Sequence, residues 1–142
     1  ILANQINQLH HDNEPDLFIK PDDLLSDREF WESKIFGDES IALVAEFDGV
    51  VEGFVLAMLT AVPVVPFLKK TRVCRVGTIV VSEAQQHKGL GKQLLNGIES
   101  WAVAQNVTEI RLEVMEFNVG AHSFYDKLGF HTQSRVLSKS IA

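Results

Sequence analysis

The run Gln85-Gln86-His87-Lys88-Gly89-Leu90-Gly91-Lys92-Gln93-Leu94-Leu95 places glycine and lysine at the mouth of an amphipathic helix. Glycine lets bare backbone approach a guest, and the first N–H groups of a helix have no intrahelical acceptor. With the positive end of the helix dipole they favour an anion, and Lys88 and Lys92 add matching charge. Two common phosphate loops fail here. A dinucleotide fingerprint, G-x-G-x-x-G, fits Gly89 and Gly91 but meets Leu94 at its third glycine. A G-x-x-x-x-G-K-[ST] loop fits Gly91-Lys92 but meets Gln86 at its first glycine and Gln93 at its hydroxyl.

Other reactive residue types are sparse. Tyr125 is the only tyrosine and Cys74 the only cysteine. Cys74 lies inside an apolar strand pattern and reads as a small buried hydrophobe rather than a nucleophile. His10, His11 and His122 do not join a Cys/His/carboxylate set with ligand spacing, so no metal is expected. Glu113 alternates with Ile110, Leu112 and Val114 and therefore faces away from that apolar row.

The elements that must position these residues are readable from periodicity. Ile1–His10 has helical spacing, and His11–Asp23 is a polar loop broken by Pro15 and Pro21. Ser26 with Glu29 forms a capping box for a short helix through Phe36. Two β-branched apolar runs between Ile41 and Leu59 flank Asp48-Gly49, the signature of a hairpin with a type I′ turn. Residues 71–81 read as a third strand, Gly89–Gln105 as a helix, and 107–115 as a strand. The helix buries Leu90, Leu94, Leu95, Ile98, Trp101 and Ala102. Asn118 caps a further helix through Leu128, Gly129 ends it, and Phe130–Ile141 is expected to be a last strand. The order α-α-β-β-β-α-β-α-β predicts an α/β fold. Its mixed sheet has antiparallel pairs from the hairpin and a parallel crossover across 72–114.

At 142 residues, with 46% hydrophobic and 23% charged residues, the chain reads as one soluble domain over 1–142. One cysteine forbids an internal disulfide and fits a reducing cytoplasm. No apolar run approaches the about 20 residues of a membrane span, and Ile1–His11 does not read as a signal peptide. A net charge of −6 argues against nucleic acid. It is compatible with a cationic substrate, and equally with plain solubility.

Gln86-x-x-Gly89-x-Gly91, directly between a strand and a helix, resembles the [QR]-x-x-G-x-[GA] signature of the GNAT superfamily of N-acyltransferases. Asn118 to Phe130, "NVGAHSFYDKLGF", resembles that family's downstream motif N-x-x-A-x-x-[FLI]-Y-x-x-x-G-F, and "RLEV" resembles the strand between them. The likeness runs from about Ile41 to the C-terminus. The family usually begins with a strand ahead of the first helix. This chain starts inside what would be that helix, so the first strand is expected to be missing.

The resemblance implies that the anion is the pyrophosphate of acetyl-CoA, a co-substrate. It implies contacts to that cofactor from Gln86, His87, Lys88, Gly89, Leu90, Gly91 and Lys92. Strand residues Ile79, Val80 and Val81 would meet the pantetheine arm, joined by Asn118 and Phe124. The sheet it implies is mostly antiparallel with a parallel pair at the cofactor cleft. Tyr125 occupies the position whose hydroxyl faces the cofactor sulfur, and a phenol, with a pKa of about 10, is protonated at neutral pH and can donate to a thiolate. Glu113 resembles the glutamate that deprotonates the amine, with Glu83 or water as the other candidates. The plain alternatives are a core aromatic for Tyr125 beside Phe124 and a solvated strand carboxylate for Glu113.

The implied reaction is direct acetyl transfer to a primary amine in a ternary complex, without an acyl-enzyme. The acceptor is a small molecule or a peptide amine. Asp12, Glu14, Asp16, Asp22 and Asp23 could attract a cationic acceptor, or simply form a solvated loop. The apolar tip Val62–Phe67 could cover the acceptor or pack against a second subunit in a homodimer. The rival reading is a non-catalytic acyl-CoA-binding or protein-interaction module, against which Tyr125 and Glu113 count.

Overall fold

A computed structural model describes residues 2–18, 30–32 and 39–142. Helix α1 (Leu2–Asn13) comes first, running past the expected end at His10. Residues 30–32 are helical; the rest of the capping-box helix expected over Ser26–Phe36 lies outside the described residues.

Strands β1 (Ser40–Phe47) and β2 (Val50–Leu59) form the hairpin. Asp48 and Gly49 have φ of 48° and 77°, the two positive values that a type I′ turn requires. Strand β3 (Cys74–Val81) pairs antiparallel with β2. Helix α2 (Leu90–Ala104) then crosses back, and β4 (Ile110–Arg111) pairs parallel with β3. The order β1-β2-β3-β4 with helix α3 (Val119–Lys127) is the mixed α/β sheet that the sequence predicts.

The core lies between one sheet face and α2. Val55, Ala57, Cys74 and Val76 meet Leu94, Leu95, Ile98 and Ala102. Ile98, Val55 and Cys74 are fully buried, and each large apolar side chain so placed contributes about 1.5–3 kcal/mol of transfer free energy. Trp101 is only partly buried at the rim of the same face.

Two expectations fail at the open side of the sheet. The strand expected over 107–115 forms a ladder only at Ile110–Arg111. Residues 130–142 form no strand, and Val136, Leu137 and Ile141 are at least 90% exposed. His131–Arg135 and Ser138–Ser140 are all polar, so the segment has no alternating apolar face to bury. The two-residue β4 also offers it almost no ladder to extend. No described helix is long and apolar enough to cross a membrane.

Candidate functional site

A bulge opens the site. β2 and β3 keep register except between Leu56 and Ala57, where Gly77 of β3 is the unmatched residue. A bulge bends its strand and increases the local twist. β3 meets β4 only at Cys74 and Arg75, before the bulge, and among the described residues no strand pairs with the far half of β3 on that side. Ser82 N donates to Glu52 O at 2.7 Å, which fixes the alternation of the antiparallel ladder. Val80 therefore turns its N–H and C=O to Phe54, while Ile79 and Val81 point theirs at the side that no described strand pairs with.

The loop after β3 has the form of an anion cradle. His87 and Gly89 both have positive φ, 64° and 86°, a left-handed alternation that makes successive N–H groups converge. For a residue with a side chain, as at His87, that conformation is uncommon. Among the described residues, no N–H from His87 to Lys92 donates to a main-chain carbonyl. Lys88 and Lys92 are exposed and make no ion pair with a described residue. Gly89 is the N-cap of α2. These donors and charges fit a diphosphate, and the edge of Ile79 and Val81 fits an extended amide-bearing arm.

α3 packs on the first turn of α2. A Cβ at Gly91 would lie 3.0 Å from Phe124 Cζ, so the ring rests on bare backbone. Tyr125 stacks edge-to-face with Phe124 at 5.1 Å and with Phe130 at 5.5 Å. Its hydroxyl has no hydrogen-bond partner among the described residues, and burial pushes its pKa up to about 12. Asn118 Oδ1 accepts from Ala121 N at 3.2 Å and caps α3. Losing such a cap costs about 1 kcal/mol. Asn118→Ala should lower the urea midpoint accordingly with an unchanged slope; an unmoved midpoint would show that the cap is dispensable.

Glu113 is 77% exposed and accepts from Arg75 Nη2 at 2.8 Å. Glu83 is exposed at the start of the loop. Cys74 is buried, which raises its thiol pKa. His10 Nδ1 donates to Ile6 O and His122 Nε2 to Met115 O. Asp12, Glu14 and Asp16 are exposed at and beyond the end of α1, as is Phe67 in the apolar tip; Asp22 and Asp23 lie outside the described residues.

Sequence reasoning missed two contributors. Gln5 Nε2 donates to Val81 O at 2.8 Å, and its Oε1 accepts from Glu83 N at 3.3 Å. Glu52 accepts from the Ser82 hydroxyl. Both join segments far apart in the chain, and no local pattern announces them.

Residues 4–130 match the model of the acetyltransferase (GNAT) family. The chain belongs to that family. A relative, the uncharacterized N-acetyltransferase YobR of Bacillus subtilis, is 36% identical over 55 residues, 39% of this GNAT chain. The match spans 22% of YobR's own length. The tetramutant of the BH1408 protein from Bacillus halodurans superposes with a TM-score of 0.90 at 23% identity, over 99% of this chain and 90% of that one. The aminoglycoside N-acetyltransferase AAC(6')-Iy in complex with the bisubstrate analogue CoA-S-monomethyl-acetylneamine superposes with a TM-score of 0.70 at 22% identity. That overlap covers 99% and 91% of the two chains. At these identities the structural likeness concerns the GNAT fold.

Proposed function

We propose that this GNAT chain moves an acetyl group from acetyl-CoA to a primary amine by direct attack in a ternary complex. The observation that carries the reading is the run of N–H groups from His87 to Lys92 with no main-chain acceptor among the described residues, beside the β3 edge where Ile79 and the N–H of Val81 face no described strand. Acetyl-CoA supplies the acetyl group as a thioester, whose C–S bond breaks as the amine nitrogen forms the new C–N bond. His87 to Lys92 hold the diphosphate, with the charge of Lys88 and Lys92 behind them. Ile79, Val81 and Asn118 orient the arm, and Phe124 supports the loop through Gly91. Tyr125 protonates the departing sulfur. A small-molecule amine is favoured as acceptor by the aminoglycoside acetyltransferase with its bisubstrate analogue among the structural neighbours.

The amine must also lose a proton. We assign that step to Glu113, directly or through water, with Glu83 as the alternative. Glu113→Gln keeps size and hydrogen bonding but cannot accept the proton. Its kcat/KM should fall about tenfold at neutral pH, below the range for a desolvated base because the carboxylate is exposed, and recover partly at high pH as free amine is supplied by bulk deprotonation. A flat, near-wild-type pH profile for Glu113→Gln beside a damaged Glu83→Gln would move the base into the loop.

A further inference from the structure

α1 reaches the candidate site through one amide. Gln5 joins the carbonyl of Val81, the last residue of β3, to the N–H of Glu83, the first residue of the short 3-10 turn Glu83–Gln85. That turn has no side-chain cap of its own, and the hydroxyl of Ser82 at its N-cap donates instead to Glu52. Gln86 Nε2 also donates to Val81 O, at 3.1 Å, from the far side of the turn. Two side chains, one from α1 and one from the loop just past the strand, thus converge on one carbonyl oxygen. An acceptor satisfied twice by side chains presents little to a ligand. The outward groups left on this edge are the N–H of Val81 and both groups of Ile79.

We infer that Gln5 is a positioning residue for the cofactor. It fixes the end of β3 and the turn that launches the loop, so that the cradle of His87–Lys92 is formed before the ligand arrives. It also occupies the Val81 carbonyl, so that the arm is met at that residue by a donor alone. The inference rests on the acetyl-CoA reading. A preformed site binds more tightly because less ordering remains to be done on association. Gln5 touches no reacting atom, so its removal should act on affinity and leave turnover intact.

The test uses Gln5→Met, which keeps the length and removes both hydrogen bonds, and Gln5→Glu, which keeps an acceptor for Glu83 N–H but sets a carboxylate against the Val81 carbonyl. In the free protein, hydrogen exchange across residues 82–86, whose bonded amides belong to the turn, should accelerate in Gln5→Met, with β1 and β2 unchanged. By calorimetry the Kd for coenzyme A should rise about tenfold, the scale of one or two lost hydrogen bonds. The KM for acetyl-CoA should follow it, with kcat within about twofold. Gln5→Glu should lose at least as much affinity; near-wild-type affinity there would overturn the role given to the Val81 bond. A lowered melting temperature with unchanged loop exchange and unchanged Kd would make Gln5 an ordinary stability residue and overturn the inference. A wild-type protein that does not bind coenzyme A overturns the cofactor reading and this inference with it. A wild type that binds, beside a Gln5→Met variant that binds equally, overturns this inference alone.

Discussion

Tyr125→Phe is expected to lower kcat by about 10- to 1,000-fold while coenzyme A affinity holds, the range for losing one positioned acid. The substitution keeps the ring, and with it the edge-to-face contacts to Phe124 and Phe130. Only the hydroxyl goes, and it makes no hydrogen bond within the described chain that the fold would miss. Burial pushes this phenol up to about 12, so it stays protonated throughout the neutral and mildly alkaline range. Activity that depends on the protonated form should therefore not decline at a pH of about 10, where an exposed phenol ionises, but only toward 12. Stability carries the same sign. The raised pKa contributes fully below about 10 and is lost as pH climbs from there toward 12. Steady-state kinetics of Tyr125→Phe with kcat equal to wild type would hand leaving-group protonation to water or to the substrate.

Gly89→Val and Gly91→Val should each weaken coenzyme A binding by about 1–3 kcal/mol, the scale of imposed strain or lost charge-assisted contacts. The two act through different physics. At Gly89 an added Cβ would meet open space, so the cost comes from the backbone: φ is 86°, and a β-branched residue resists it. The loop should then relax and its converging N–H groups diverge. At Gly91 the backbone is helical, and the obstacle is Phe124, 3.0 Å from the added Cβ. Valine there requires the Phe124 ring to shift, and Tyr125, stacked on that ring, should shift with it. Gly91→Val should accordingly lose turnover as well as affinity, whereas Gly89→Val should lose mainly affinity. Calorimetry with unchanged coenzyme A affinity in both variants would rule out the anion cradle.

The features legible in the sequence are those that local chemistry decides. Asp48-Gly49 has to be a turn because few other dipeptides accept two positive φ values. The buried face of α2 follows from the spacing of Leu94, Leu95, Ile98 and Ala102. Asn118 caps α3 by reaching a donor three residues away. What stays hidden depends on distant partners. A strand over 130–141 needs a neighbour and an apolar face, and the segment has neither among the described residues. β4 shrinks to Ile110–Arg111 because the bulge at Gly77 carries β3 away, and a lone glycine in an apolar run does not announce that bend. Glu113 is exposed, as its alternation with the apolar row predicts, but its partner Arg75 belongs to another strand. Gln5 reads in the sequence as one more polar residue on an amphipathic helix. Its two bonds to the end of β3 and the start of the loop span most of the chain.

The most direct test of acetyl transfer is a mass-spectrometric screen in which the protein is incubated with acetyl-CoA and a panel of primary amines, polyamines, aminoglycosides and lysine peptides. At least one amine should emerge heavier by a single acetyl group, with free coenzyme A released in equal amount and the product strongly reduced with Tyr125→Phe. Acetyl-CoA bound but left intact across the whole panel would contradict acetyl transfer and make this chain a binding module on the same fold.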